Sequence, residues 1–221
     1  MTIAYISGAT ASYSGALTKP SVSVGDLLLV FGTCNGEGAT ISLATFTQIG
    51  TTQSVGGTGT QSFAAFYRVV DGSEGASFTV SFSDGNNVST LQAYSGVNTT
   101  TPIDTSAQSS ANPSSASPVS MGLTGVTVAD ASNWVVWAAC ADINTDAIDP
   151  TYTNPGTLTT RNTITSGSFS SMRTCDYAPG AGATGALTGS AAFSAGTSNW
   201  LGFVVSLSGL PNSGNLAWIR A

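Results

Sequence analysis

The side chains with the greatest chemical potential in this sequence are the carboxylates Asp142, Asp146 and Asp149. They fall within ADINTDAID, directly after a strongly apolar stretch, with Asn144 among them. Calcium takes six to eight hard oxygen ligands, and three carboxylates beside an amide could supply part of such a set. The spacing departs from the EF-hand pattern, whose glycine and terminal glutamate are missing here. The plainer expectation is a solvated acidic loop with no metal, in which Asp142, Asp146 and Asp149 remain the weak calcium candidates. Two such acids could also serve a glycosidase, but its general acid must be raised in pKa by burial. A polar loop does not provide that.

Other catalytic systems are excluded by composition. The chain has no histidine, which removes Ser-His-Asp and Cys-His nucleophilic systems and ordinary zinc sites. No glycine-rich loop carries the Lys-Ser/Thr pair that cradles a phosphate, and no dinucleotide fingerprint follows a strand. Cys34, Cys140 and Cys175 form no Cys-x-x-Cys pair, and only Arg173 lies close to one of them in sequence. A reactive thiolate needs a cationic partner, so these read as buried core thiols. Among the aromatics, Trp134, Trp137 and Trp200 sit inside apolar strands and read as core, while Trp218 is exposed by context. The expectation is a protein with no catalytic residue and no cofactor.

The elements that would position these residues read as strands throughout. Apolar stretches at 26–33, 62–70, 77–83, 89–94, 133–141, 170–177 and 200–208 are separated by Gly, Asn, Asp and Pro clusters. ASFTVSF (76–82) alternates apolar and polar residues, the period-two mark of a half-buried strand. Asp84-Gly85 follows it as a hairpin cue. No window shows a period of 3.6, so many short strands with regular turns point to an antiparallel two-sheet β-sandwich, jelly-roll-like. At 221 residues one such domain is an ordinary size.

Charge narrows the partners. Only 7% of residues are charged and the net charge is −6. The five basic residues (Lys19, Arg68, Arg161, Arg173 and Arg220) are scattered, which argues against nucleic acid and against an anionic membrane surface. The longest apolar runs are too short to span a bilayer as a helix. Residues 1–20 lack a basic n-region and a continuous apolar h-region, which gives the expectation of folding in a cytoplasm.

The two halves of the sequence resemble each other. GDLLLVFGTC (25–34) and SFAAFYRVVDG (62–72) in the first correspond to SNWVVWAAC (132–140) and SSMRTCDYAPG (170–180) in the second. Aligned in this way, Cys34 matches Cys140, Asp71-Gly72 matches Pro179-Gly180, and Ser95-Gly96 matches Ser208-Gly209. The expected organisation is one domain over 1–221: an N-terminal arm (1–20), a first half (25–97), a crossing segment (99–120), a second half (132–210) and a C-terminal tail (211–221). The halves are expected to pack into one shared core. Trp218 and Ile219 in the tail are the expected interaction residues, because apolar groups on an arm usually dock on something.

The segments GDLLLVF (25–31), FYRVVDGSE (66–74), LQAYSGV (91–97) and TPID (101–104) together resemble a group of phage and prophage structural proteins. The resemblance covers about residues 20–210. Where that group carries a tryptophan after its first strand, this chain has Phe46-Thr-Gln-Ile-Gly50. The resemblance implies a β-sandwich module of a virion, either a head decoration (cement) protein or a tail-fibre part. It implies a non-enzymatic role, partnership with a major capsid protein or other virion proteins, and a homo-oligomer, a trimer being favoured. The implied location is the virion, assembled in a host cytoplasm. A glycan-binding adhesin module of a tail fibre or cell surface is the alternative from a different class.

Overall fold

The computed structural model describes residues 2–56, 60–111, 118–143, 151–166, 170–192 and 198–210. Among these residues the regular structure is all strand, with no helix. The first half holds β1 (Ala4–Ser12), β2 (Leu17–Thr18), β3 (Leu27–Asn35), β4 (Ile41–Ser42), β5 (Thr47–Val55), β6 (Gln61–Val69), β7 (Ser77–Phe78), β8 (Ser81–Phe82) and β9 (Asn87–Ser95). The second holds β10 (Ile103–Ala111), β11 (Val119–Leu123), β12 (Thr127–Val128), β13 (Trp134–Ile143), β14 (Thr151–Thr153), β15 (Thr159–Ser166), β16 (Ser170–Tyr177), β17 (Gly182–Ala183), β18 (Leu187–Ala192) and β19 (Ser198–Leu207).

Two five-stranded antiparallel sheets dominate, in the orders β1-β9-β3-β6-β5 and β10-β19-β13-β16-β15. Their inner faces meet. Phe31 and Phe63 from the first sheet contact Phe203 from the second, with ring centroids 6.4 and 5.1 Å away. Leu27, Leu29, Val136, Ala138 and Val205 join the same cluster. The expected single core is in fact three. Leu28 and Val30 point the other way, into a cluster with Leu17, Ile41 and Phe78 from the small pairs β2-β7 and β4-β8 and with Val80 between β7 and β8. Val135, Trp137 and Ala139 do the same in the second half, against Met121, Val128, Tyr152 and Leu187. The small sheets cover the outer faces, and this is why β3 and β13 are buried on both sides and read as continuous apolar runs rather than alternating ones.

One residue of register decides where the cysteines go. Cys34 belongs to the outer cluster of the first half, whereas Cys140 belongs to the cluster between the large sheets. The two are therefore not equivalent, since a shift of one residue turns a side chain to the opposite face.

Two expected irregular segments are strands. Within 1–20, the expected arm, Ala4–Ser12 pairs along β9 as the edge of the first large sheet. Within 99–120, the expected crossing, Ile103–Ala111 pairs along β19 as the edge of the second. The expected strand at 77–83 is split into β7 and β8. All four edge strands are rich in Ser, Thr or Gln, because an edge has one neighbour and needs little apolar cover. Each also carries a register shift, at Tyr5/Ser7, Ile49/Gln53, Ile103/Thr105 and Thr160/Asn162. The interior pairs β3–β6, β3–β9, β13–β16 and β13–β19 run without one. Shifts of this kind twist an edge and make it a poor template for unwanted pairing.

Close approach of the layers depends on glycine at one interior position. A Cβ on Gly202 in β19 would collide with the side chain of Leu123 in β11. Phe203, one residue on, faces the inter-sheet core and is fully buried. Phe203→Ala should cost about 3–5 kcal/mol, the range for removing a buried aromatic that both sheets enclose. Urea unfolding of the variant checks this. A loss below about 1 kcal/mol would mean that the inter-sheet core is not tightly packed.

Candidate functional site

The inter-sheet core has a polar stripe along one side. In β9, Thr90, Gln92 and Tyr94 alternate with Leu91 and Ala93, so their side chains face the second sheet. In β16, Met172, Thr174 and Asp176 face them. Thr90 Oγ1 lies 3.6 Å from Met172 Sδ, Gln92 Nε2 donates to Thr174 Oγ1 at 2.7 Å, and the Tyr94 hydroxyl donates to Asp176 Oδ2 at 2.9 Å. Each partner pair is 82 residues apart, a constant offset that means β9 and β16 run in the same direction where the two sheets stack.

The stripe ends in an ion pair. Arg161 in β15 donates from Nε to both Asp176 oxygens at 2.8 Å. Its guanidinium lies over the Tyr5 ring, 4.3 Å from the centroid, and Tyr5 meets Tyr94 edge-on at 5.7 Å. Asp176 and Tyr94 are fully buried, while Arg161 is half-buried. Burial pushes the Tyr94 phenol well above its ordinary pKa, and the charge of Asp176 and the hydrogen bond to it push the same way. Burial opposes the Arg161 charge, but the hydrogen bond and charge of Asp176 outweigh it and hold the pKa up. The arrangement keeps Tyr94 protonated and Asp176 neutralised by Arg161, so it locks one sheet to the other. Composition gave no hint of it. The available signal was the period-two polar set inside LQAY (91–94), set against TCD (174–176).

A second charged network braces the end of β6. Arg68 Nε donates to Glu74 Oε1 at 3.1 Å, and Arg68 Nη2 reaches Asp71 at 3.2 Å and Ser73 Oγ at 2.8 Å. The Glu74 carboxylate has no exposed surface and also accepts from the Asp71 and Gly72 amides. Hydrogen bonds from the Ser73 hydroxyl and amide hold the exposed Asp71 carboxyl well below the usual range, with help from Arg68. Beside this network lies a depression of about 300 Å³ floored by Leu43 and Phe78. A depression of the same size lies in the second half, between Pro155, Leu158, Tyr177 and Leu187. Neither is lined by Tyr94, Arg161 or Asp176.

The sequence-derived candidates separate. Asp142 is buried at the end of β13, opposite Ser170 and Asn199, and is not part of an exposed loop. Asp146 and Asp149 lie outside the described residues, as do Trp218 and Ile219. Among the described residues no three His, Cys, Asp or Glu side chains are grouped to hold a metal ion. Trp137 and Trp200 are buried, and Trp134 is half-buried against the inter-sheet core. The three thiols are free and buried. Burial pushes Cys34 and Cys175 up to about 12 and raises Cys140 as well, the opposite of an activated nucleophile.

Compared with protein-family models, curated proteins and solved structures, the chain matches none of them.

Proposed function

We propose that this chain is a non-enzymatic structural protein of a phage particle, a capsid decoration protein that binds the head surface. Its fold, on this reading, is a jelly-roll-like sandwich built from two similar halves. The observation that carries the proposal is the winding of the chain between layers. In the first half β1, β3, β5, β6 and β9 belong to the large sheet, and the short strands β2, β4, β7 and β8 belong to the covering layer. The path alternates between the two, and the first strand ends beside the last. The second half follows a similar path with β10, β13, β15, β16 and β19 in the large sheet, and carries one more short strand, β11. That alternation supports the jelly-roll reading, an architecture used by viral capsid and lectin domains.

Reciprocal contacts between the halves support the duplication. β1 packs beside β15, and β10, its counterpart, packs beside β5. Val97 and Gly209, near the ends of the two repeated units, form an antiparallel bridge. Such reciprocity is what a two-fold interface produces.

The segments behind the phage resemblance act as joints. The Gly25 amide donates to Val70 O and the Val70 amide returns to Asp26 O, at 2.9 and 2.8 Å. Asp104 Oδ2 accepts from the Ala129 amide, Asn133 Nδ2 and Ser206 Oγ. A scaffold braced in this way suits a protein that must hold a particle surface. Binding rests on the tail 211–221, with Trp218 and Ile219 as its apolar contacts, and on edge strands. Residues 1–20 contribute an edge strand rather than a loose arm. The partner is the major capsid protein or another virion protein, and the chain acts as a homo-oligomer, a trimer being favoured.

Quantitative mass spectrometry of purified particles from the source tests this. Hundreds of copies per particle are expected of a decoration protein. A handful would overturn the head assignment in favour of the tail, and absence would overturn the virion role.

A further inference from the structure

The geometry points to a binding site for a neutral, hydroxyl-rich ligand of one or two sugar rings in the depression beside Arg68. The floor is apolar. Phe78 and Leu43 are 9% and 7% exposed, and Phe46 meets Phe78 edge-on at 5.0 Å, which fixes the ring. Around it stand the hydroxyl-bearing residues Thr45, Ser73, Ser77 and Thr79, all exposed. An apolar base with a few convergent polar groups is the usual make-up of a small-ligand site, and about 300 Å³ is the lower end of the usual size.

Charge decides the ligand class. Arg68 is the cation in the lining, and Glu74 and Asp71 already neutralise it at 3.1 and 3.2 Å. An anion would have to displace one of these carboxylates, and a cation would have to draw one of them away from the guanidinium that it already pairs with. A neutral polyol faces neither cost. Its ring carbons can lie on Phe78 while its hydroxyls exchange hydrogen bonds with the rim.

The site is built in advance. The buried Glu74 carboxylate takes three N–H donors from Arg68, Asp71 and Gly72, so the loop around it needs no ordering when a ligand arrives. Thr45, also in the lining, holds a left-handed φ of 68°, a conformation that costs a β-branched residue and persists where surrounding structure enforces it. The depression in the second half provides an internal comparison. It has the same volume, but no charged side chain and no buried carboxylate in its lining. Whatever binds through the braced rim should bind in the first half alone.

Ligand-observed saturation-transfer NMR on the full chain tests the inference, with glucose, galactose, N-acetylglucosamine, lactose and maltose as probes and inorganic phosphate as the charged comparison. Transfer to at least one saccharide is expected, and none to phosphate. Thr79→Trp fills the depression and should abolish the signal with the unfolding midpoint unchanged, while Thr188→Trp fills its second-half counterpart and should keep it. Should Thr79→Trp fail to fold, Ser77→Phe replaces it. No transfer to any saccharide, or transfer that survives filling, overturns the site. The particle copy number is a separate measurement, so either conclusion can fall without the other.

Discussion

Replacing Asp176 by alanine is expected to lower the stability of the chain by about 3–5 kcal/mol, the cost of breaking a buried ion pair by removing one partner. The carboxylate serves three donor contacts at once, two from Arg161 and one from the Tyr94 hydroxyl. Without it, Tyr94 holds a buried hydroxyl with no acceptor, and Arg161 keeps a half-buried charge over the Tyr5 ring with nothing to balance it. Tyr94→Phe removes the hydroxyl but leaves the ion pair intact, so its cost should be about 1 kcal/mol. Asp176→Asn keeps an acceptor for Tyr94 and loses the charge, and should fall between the two. Because the residues act as a unit, Asp176→Ala combined with Arg161→Ala should cost clearly less than the two separate losses added together. Urea unfolding at pH 7 gives all of these. Additive losses, or an Asp176→Ala variant within 1 kcal/mol of the parent, would mean that the stripe does not hold the sheets together.

The same stripe marks the limit of what could be read from sequence. The central strands β3, β6, β13 and β19 were legible because burial on both faces forces long apolar runs, and β16, though more polar, is found over Ser170–Tyr177 with the bounds expected. The edges were not. AYISGATAS and IDTSAQSSA pair along a full neighbour, yet their side chains resemble those of a loop. What makes them strands is the backbone ladder offered by β9 and β19, which no local pattern records. Most of the small covering strands are two or three residues long, and apart from the alternation across 76–82 they are too short for a period to mark them as strands. Repeated segments suggested two halves, but similarity could not fix register to one residue, and so Cys34 and Cys140 were matched although they face different cores. The polar stripe was hidden for a related reason. Gln92 and Thr174 look like ordinary strand residues until stacking of the sheets brings them to 2.7 Å. The carboxylates that stood out in sequence, at 142, 146 and 149, stood out by proximity along the chain, which says little about proximity in space.

Stability is expected to fall steeply as the pH rises above about 9. The chain has no histidine and only one lysine, Lys19, so neither group governs the change. The thiols and phenols do. Burial pushes Cys34 and Cys175 from 9.0 up to about 12 and raises Cys140 too. It also raises Tyr94 and Tyr152 above 10.0. In each case the folded pKa exceeds the unfolded one, so the folded chain keeps protons that the unfolded chain releases. The stabilisation is therefore complete below about pH 9 and is lost as the pH climbs toward the folded values. Each thiol contributes about 1.4 kcal/mol of loss per pH unit within that window, and the three together about 4 kcal/mol. Over the two pH units from 9 to 11 the thiols together remove about 8 kcal/mol, a large share of a whole-domain stability of about 5–15 kcal/mol. Urea unfolding at stepped pH under reducing conditions measures the slope. Cys140→Ala removes one of the three thiols; it lowers the plateau through the cavity it leaves, and it should reduce the slope above pH 9 by about a third of the thiol share. A stability that stays level to pH 11, or a slope indifferent to removal of Cys140, would mean that these thiols are not sealed in the cores where the fold places them.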